Sequence, residues 1–280
     1  MRKWFQAAWR LLTSPSRWAR KVNESIKDFF TEEPEDTPLG DSFQKAIDQP
    51  EELFVHLDAL RKHIFRALAA LGLTTVFSFT FARNIIDILA RPVGGIEGLV
   101  AIDPTEPIGV FMRVSLLSGF SLAFPIIALE LYLFVAPGLK KRSRTLGLIA
   151  IPIATLFFLG GMAFAYYIMM PVAIPFLITF MGMEAQMRPS TYVRFITNLL
   201  FWVGAIFEFP LIIYVLARMG IVQSTHLVKQ WRIAVVIIAI LAAIITPTVD
   251  PVTMSVVMAP MIALYFFSIV LARIAQRSRN

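Results

Sequence analysis

Apolar residues in this chain are gathered into blocks separated by short polar or proline-bearing stretches. The blocks run from about Ile64 to Ala82, Val114 to Val135, Leu146 to Met170, Phe195 to Ala217, Ile233 to Ile245 and Val252 to Ala272. A helix needs about 20 apolar residues to cross a ~30 Å hydrocarbon core, so five blocks have spanning length. The fifth in order, IAVVIIAILAAII, has only 13 residues, or about 20 Å of helix, and calls for a locally thinned bilayer. The pattern predicts an all-α integral membrane protein of six spans.

The flanking segments read differently. Residues 1–12, MRKWFQAAWRLL, put Trp4, Phe5, Ala8, Trp9 and Leu12 on one helical face with Arg2, Lys3 and Arg10 around the other, the pattern of a helix lying in the membrane interface. A polar linker holding the acidic stretch TEEPEDTPLGD follows. The expected organisation is therefore an extension over residues 1–50, a six-span domain over 51–272 and a basic tail over 273–280.

Charge adds orientation. Of 26 Lys and Arg, 11 lie up to Arg66, four in 136–146, three in 218–232 and three after the last span. The other five, Arg83, Arg91, Arg113, Arg188 and Arg194, fall in the intervening segments. That alternation is the positive-inside pattern and places both termini in the cytoplasm of a multi-pass inner-membrane protein. The net charge of +7 is thus a topology signal rather than a nucleic-acid footprint. A mean hydropathy of +0.70 agrees with residence in the bilayer, and the absence of Cys excludes disulfides and thiol chemistry.

Candidate chemistry is sparse. There is no H-E-x-x-H or G-x-S-x-G, the three histidines lack metal-ligand spacing, and no glycine-rich phosphate loop appears; neither catalysis, cofactor nor metal is expected. Two carboxylates inside spans stand out, Glu130 and Glu208, because an unpaired charge there is costly. Pro210, two residues after Glu208, cannot bond back to the Ile206 carbonyl, so a polar notch forms beside the acid. Both acids are expected to meet a partner helix. Asp103 and Glu106, in the first outer loop with Pro92, are expected as solvated acids or helix caps.

Several segments resemble the TatC family. Phe134-Val135-Ala136-Pro137-Gly138-Leu139 is similar to its F-x-x-P-G-L signature, and His56-Leu57-Asp58-Ala59-Leu60-Arg61 to its His-Leu-x-Glu-Leu-Arg segment. Pro104-Thr105-Glu106-Pro107, Gly160-Gly161 with Tyr166-Tyr167, Phe207-Glu208-Phe209-Pro210 and the turn holding Pro247 and Asp250 follow in the family's order. The resemblance implies a glove-shaped six-helix fold and a subunit that moves folded proteins across the membrane on the proton-motive force. It implies TatA/TatB-like single-span partners, twin-arginine signal peptides as ligands, contact with membrane lipid and a homo- or hetero-oligomer. The signal-peptide region it implies comprises His56, Leu57, Asp58, Ala59, Arg61, Phe134, Pro137 and Ser143. Ala59 and Ser143 stand where the family carries its two recognition glutamates. Two other readings stay open: a diverged paralogue that assembles a membrane complex without reading signals, and a proton-coupled small-molecule transporter using Glu130 and Glu208.

The charge pattern makes a direct prediction. A reporter active only in the cytoplasm will be active when fused after Arg144 or Asn280 and silent near Gly95 or Met187; the opposite result reverses the orientation.

Overall fold

The computed structural model describes residues 50–136, 141–179, 187–246 and 251–277. Helix α1 (Pro50–Ser78) carries the first span, and it stops where Thr80 turns its hydroxyl onto the Phe77 carbonyl and Phe81 N–H bonds Ser78 O at 3.1 Å. The chain then bends by 76° into α2 (Ala82–Ala90). The apolar pattern leaves residues 83–112 as an outer loop; the stretch to Ala90 is instead a surface helix, and the next helix already begins at Glu106. Ala82, Leu89 and Ala90 face inward, while Arg83, Asn84 and Asp87 are exposed. That is an amphipathic element too short to register among the long apolar blocks.

Four further helices among the described residues are long and apolar enough to cross: α3 (Glu106–Val135), α4 (Lys141–Phe164) continuing to Phe176, α6 with α7 (Pro189–Phe207, Phe209–Met219), and α10 (Pro251–Arg277). With the bent α1–α2 pair they make five. The sixth is the short α9 (Trp231–Ile245), entered through α8 (Ser224–Lys229), and at 15 residues it spans roughly 22 Å. Between α4 and α5 (Met170–Thr179), residues Ala165–Met169 form one π turn. Such wide turns arise where a helix carries one residue more than its register needs.

Small residues decide how closely the helices approach. A Cβ at Gly119 would lie 2.5 Å from Thr75 Oγ1 and 2.6 Å from Thr75 Cα, so α1 and α3 touch backbone to backbone. Thr74 donates to the Gly119 carbonyl at 2.8 Å across the same crossing. Of the Gly160-Gly161 pair only Gly161 is needed, since its Cβ would sit 2.8 Å from the Phe207 ring, whereas Gly160 faces open space. An aromatic seam then joins three spans: Phe124 stacks on Phe158 at 4.3 Å and Phe120 meets Phe201 edge-on at 5.1 Å. At the cytoplasmic end Ala217, Ala272 and Ala275 are fully buried where α7 meets α10. Outward-facing apolar residues such as Leu73 and Ile244, 74% and 70% exposed, meet lipid.

Gly119→Val will force the α1–α3 crossing apart and destabilise the protein by about 1–3 kcal/mol, read as a lower melting temperature in detergent. Gly160→Ala, with nothing within 4 Å of the new carbon, will not lower it.

Candidate functional site

The α1–α3 crossing brings two sequence-distant motifs together at the cytoplasmic end. The His56 ring lies 4.5 Å from the Phe134 ring, and His63 meets the same ring edge-on at 6.3 Å. His56, Leu57 and Arg61 are exposed and Ala59 is half-buried beside them. Arg61 holds its guanidinium 5.6 Å from the Phe65 ring. Asp58, the acid next to Ala59, is taken by Lys62 at 2.6 Å one turn along the same helix. Exposed i,i+4 pairs of this kind contribute little to stability, so Asp58 can exchange partners. Pro137 lies outside the described residues, as do Pro247 and Asp250. Ser143 falls in the first turn of α4, and its side chain is outside the described set.

Glu130 has its partners within the chain. His63 Nδ1 lies 2.6 Å from Glu130 Oε2, and Arg66 Nη1 stands 3.8 Å from the same oxygen. The carboxyl is 12% exposed, so these groups from α1 compensate an acid that lipid would otherwise penalise. This pairing joins residues 67 positions apart, so no local pattern signals it.

Glu208 is the hinge between α6 and α7. Its N–H bonds Ala205 O at 3.2 Å, a tighter closure than the α pattern, and Ile212 N–H bonds its carbonyl at 3.0 Å, so the helix resumes past the buried Pro210. Oε1 is buried with no hydrogen-bond partner among the described residues. The helix extends further outward than the apolar block implied: 19 residues precede Glu208 and 11 follow. The acid therefore sits inward of the helix midpoint rather than at it.

The outer loops contain a fourth acid whose setting differs from expectation. Glu106 is not solvated: it is 7% exposed and accepts from Arg188 Nε at 2.8 Å and from Arg188 Nη2. The two residues come from loops 82 positions apart, also joined by Val100 N–H to Met187 O at 3.2 Å. Asp103 is exposed and closes its own turn rather than capping α3, whose N-cap is Thr105: it accepts from the Thr105 N–H at 3.1 Å and its hydroxyl at 2.9 Å, which hold its carboxyl below the usual carboxylate range. Pro92 sits in a single 3-10 turn, and Gly94 and Gly95, at φ +86° and +90°, turn the chain after it. Tyr192 and Tyr166 donate to the Leu89 and Ile88 carbonyls, each at 2.7 Å, and so fasten α2 to the spans.

Arg188→Ala leaves the Glu106 carboxylate buried without its cation. Arg188 is itself 46% exposed, so the expected loss is about 1–3 kcal/mol, less than the 3–5 kcal/mol of a fully buried pair. Thermal unfolding of Arg188→Ala against Arg188→Lys measures it.

The comparisons with known proteins agree with this arrangement. Residues 55–260 match the family model described as Sec-independent protein translocase protein (TatC). A TatC of Carboxydothermus hydrogenoformans is 34% identical over 81% of this chain and 94% of its own length. One from Synechocystis sp. is 33% identical over 87% and 91%. A crystal structure of the twin-arginine translocase receptor TatC superposes with a TM-score of 0.71 at 29% identity, covering 79% of this chain and all of that one. A sequence match running through five of the six spans, and a matching fold, carry one conclusion: the chain belongs to the TatC family of Sec-independent protein translocase proteins.

Proposed function

We propose that this chain is the multi-spanning receptor subunit of a twin-arginine translocase, moving folded proteins across the membrane on the proton-motive force. The observation that carries the reading is the meeting of His56 and Phe134 on one cytoplasmic patch, built from the two motifs that carry the family resemblance. The six-span domain over 51–272 does the work, flanked by a cytoplasmic extension and a basic tail. Its ligands are twin-arginine signal peptides of folded cargo, and single-span proteins of the TatA/TatB kind dock on its helices in a homo- or hetero-oligomer.

One observation favours a second reading, a paralogue that assembles the complex without reading signals. A pair of guanidinium groups is held best by carboxylates in bidentate geometry. Ala59 and Ser143 offer none and Glu130 is engaged by His63, which leaves Asp58, loosely paired with Lys62, as a single carboxylate for two guanidinium groups.

Export of a folded twin-arginine reporter in a strain lacking its own TatC separates the two readings. The receptor reading expects export, with peptide binding strengthened about ten-fold or more in Ala59→Glu with Ser143→Glu, since a charge-assisted hydrogen bond contributes roughly 1.5–3 kcal/mol. No export by either form, with the complex still assembled, favours the paralogue. For the partner surface, Glu208→Gln keeps a donor and an acceptor and will be mild. Glu208→Leu will weaken cross-linking to single-span partners without unfolding the protein; unchanged cross-linking makes Glu208 a structural group only.

A further inference from the structure

Under α2, where span 1 bends, a cleft of about 430 Å³ opens between α1, α3, α4 and α6. Its mouth is lateral, framed by Phe77, Phe81 and Leu122, which are 58%, 48% and 50% exposed. The walls are apolar apart from three serines. Ser118 and Ser121 donate to carbonyls of their own helix, Val114 O at 2.8 Å and Leu117 O at 2.9 Å. Ser78 is different: it is 1% exposed and its hydroxyl has no partner among the described residues. A buried hydroxyl without a bond is costly, so it points to an acceptor that the chain itself does not supply.

The occupant follows from size, medium and charge. A helix with side chains is about 10–12 Å across and cannot enter a slot of this volume. The mouth opens sideways at spanning depth, where the surrounding medium is acyl chains rather than water. One helical turn outward from the lining residue Leu117, on the stripe Arg113–Leu117–Ser121, stands Arg113, half-buried and without an ion-pair partner among the described residues. Side chains on a helix lean toward its N-terminus, which for α3 is the outer end, so the guanidinium is carried to the outer headgroup level. We propose that the cleft is a phospholipid site of the outer leaflet, with one acyl chain in the slot, an ester carbonyl accepting from Ser78 and the phosphate paired with Arg113. The proposal is independent of how signal peptides are read.

Native mass spectrometry of the full chain, washed extensively in maltoside detergent, tests it. One phospholipid is expected to survive the wash. Leu122→Trp, which plugs the mouth at a half-exposed position, and Arg113→Gln are each expected to cut that fraction about ten-fold. Ser78→Ala is expected to cut it about three- to ten-fold, the equivalent of one hydrogen bond. Circular dichroism shows that each variant is folded, and a photoreactive residue at position 81 is expected to capture lipid in membranes. Equal retention by the plugged variant and the parent overturns the site. Loss from the parent in step with bulk lipid means an adventitious additive only. Capture of a single-span protein at position 81 in place of lipid gives the cleft to a protein partner and also overturns the proposal.

Discussion

The arrangement depends on one crossing at which no side chain separates two helices. Gly119 lies against the Thr75 backbone, and Thr74 bonds the Gly119 carbonyl. Between helices in lipid there is no hydrophobic drive to associate, so close packing and interhelical hydrogen bonds have to supply it. Toward the cytoplasm the same crossing sets His56 and His63 against Phe134 and Glu130; outward it sets Phe79 on Phe111 at 5.5 Å and opens the cleft beside Ser78. Both ends of the α1–α3 pair are therefore governed by one glycine, near the middle of α3 and against the last turn of α1.

The acids follow from the cost of charge away from water. Glu106 is answered by an arginine from another loop, and Glu130 by a histidine and an arginine from the neighbouring span. Glu208 keeps one buried oxygen unbonded, at a point where the helix is already broken by Pro210. Glu106, whose Oε2 is likewise unbonded, and Glu130 are each tied to a cation of another element, whereas Glu208 has no ion-pair partner among the described residues. That difference is what separates Glu208 from the other two as a candidate contact.

Much of the fold was legible because a bilayer enforces length. The blocks ending at Val135 and Ala217, the short run between Arg232 and Thr246, and the cationic loops all follow from local composition. What escaped was non-local or short. Nothing in the sequence around Glu106 says that a cation 82 positions away will cover it, although Arg188 is one of only five cations on that side. Helix α2 is nine residues and amphipathic, so an eye tuned to long apolar runs passes over it. Of the site, the motifs containing His56 and Phe134 were visible, but their meeting depends on a glycine whose role appears only once Thr75 is seen against it.

The π turn at Ala165–Met169 limits what the chain can lose. One surplus residue absorbed in a wide turn leaves the halves on either side in their own registers. Met169 at its end, Met170 and Ile174 beyond it, and Phe158 before it are all within 1% of complete burial. Were that residue lost, everything after the turn would rotate by about 100° and Ile174 would leave the core. The extra residue is thus not removable without cost, because both flanks have packed in registers that only the wide turn reconciles.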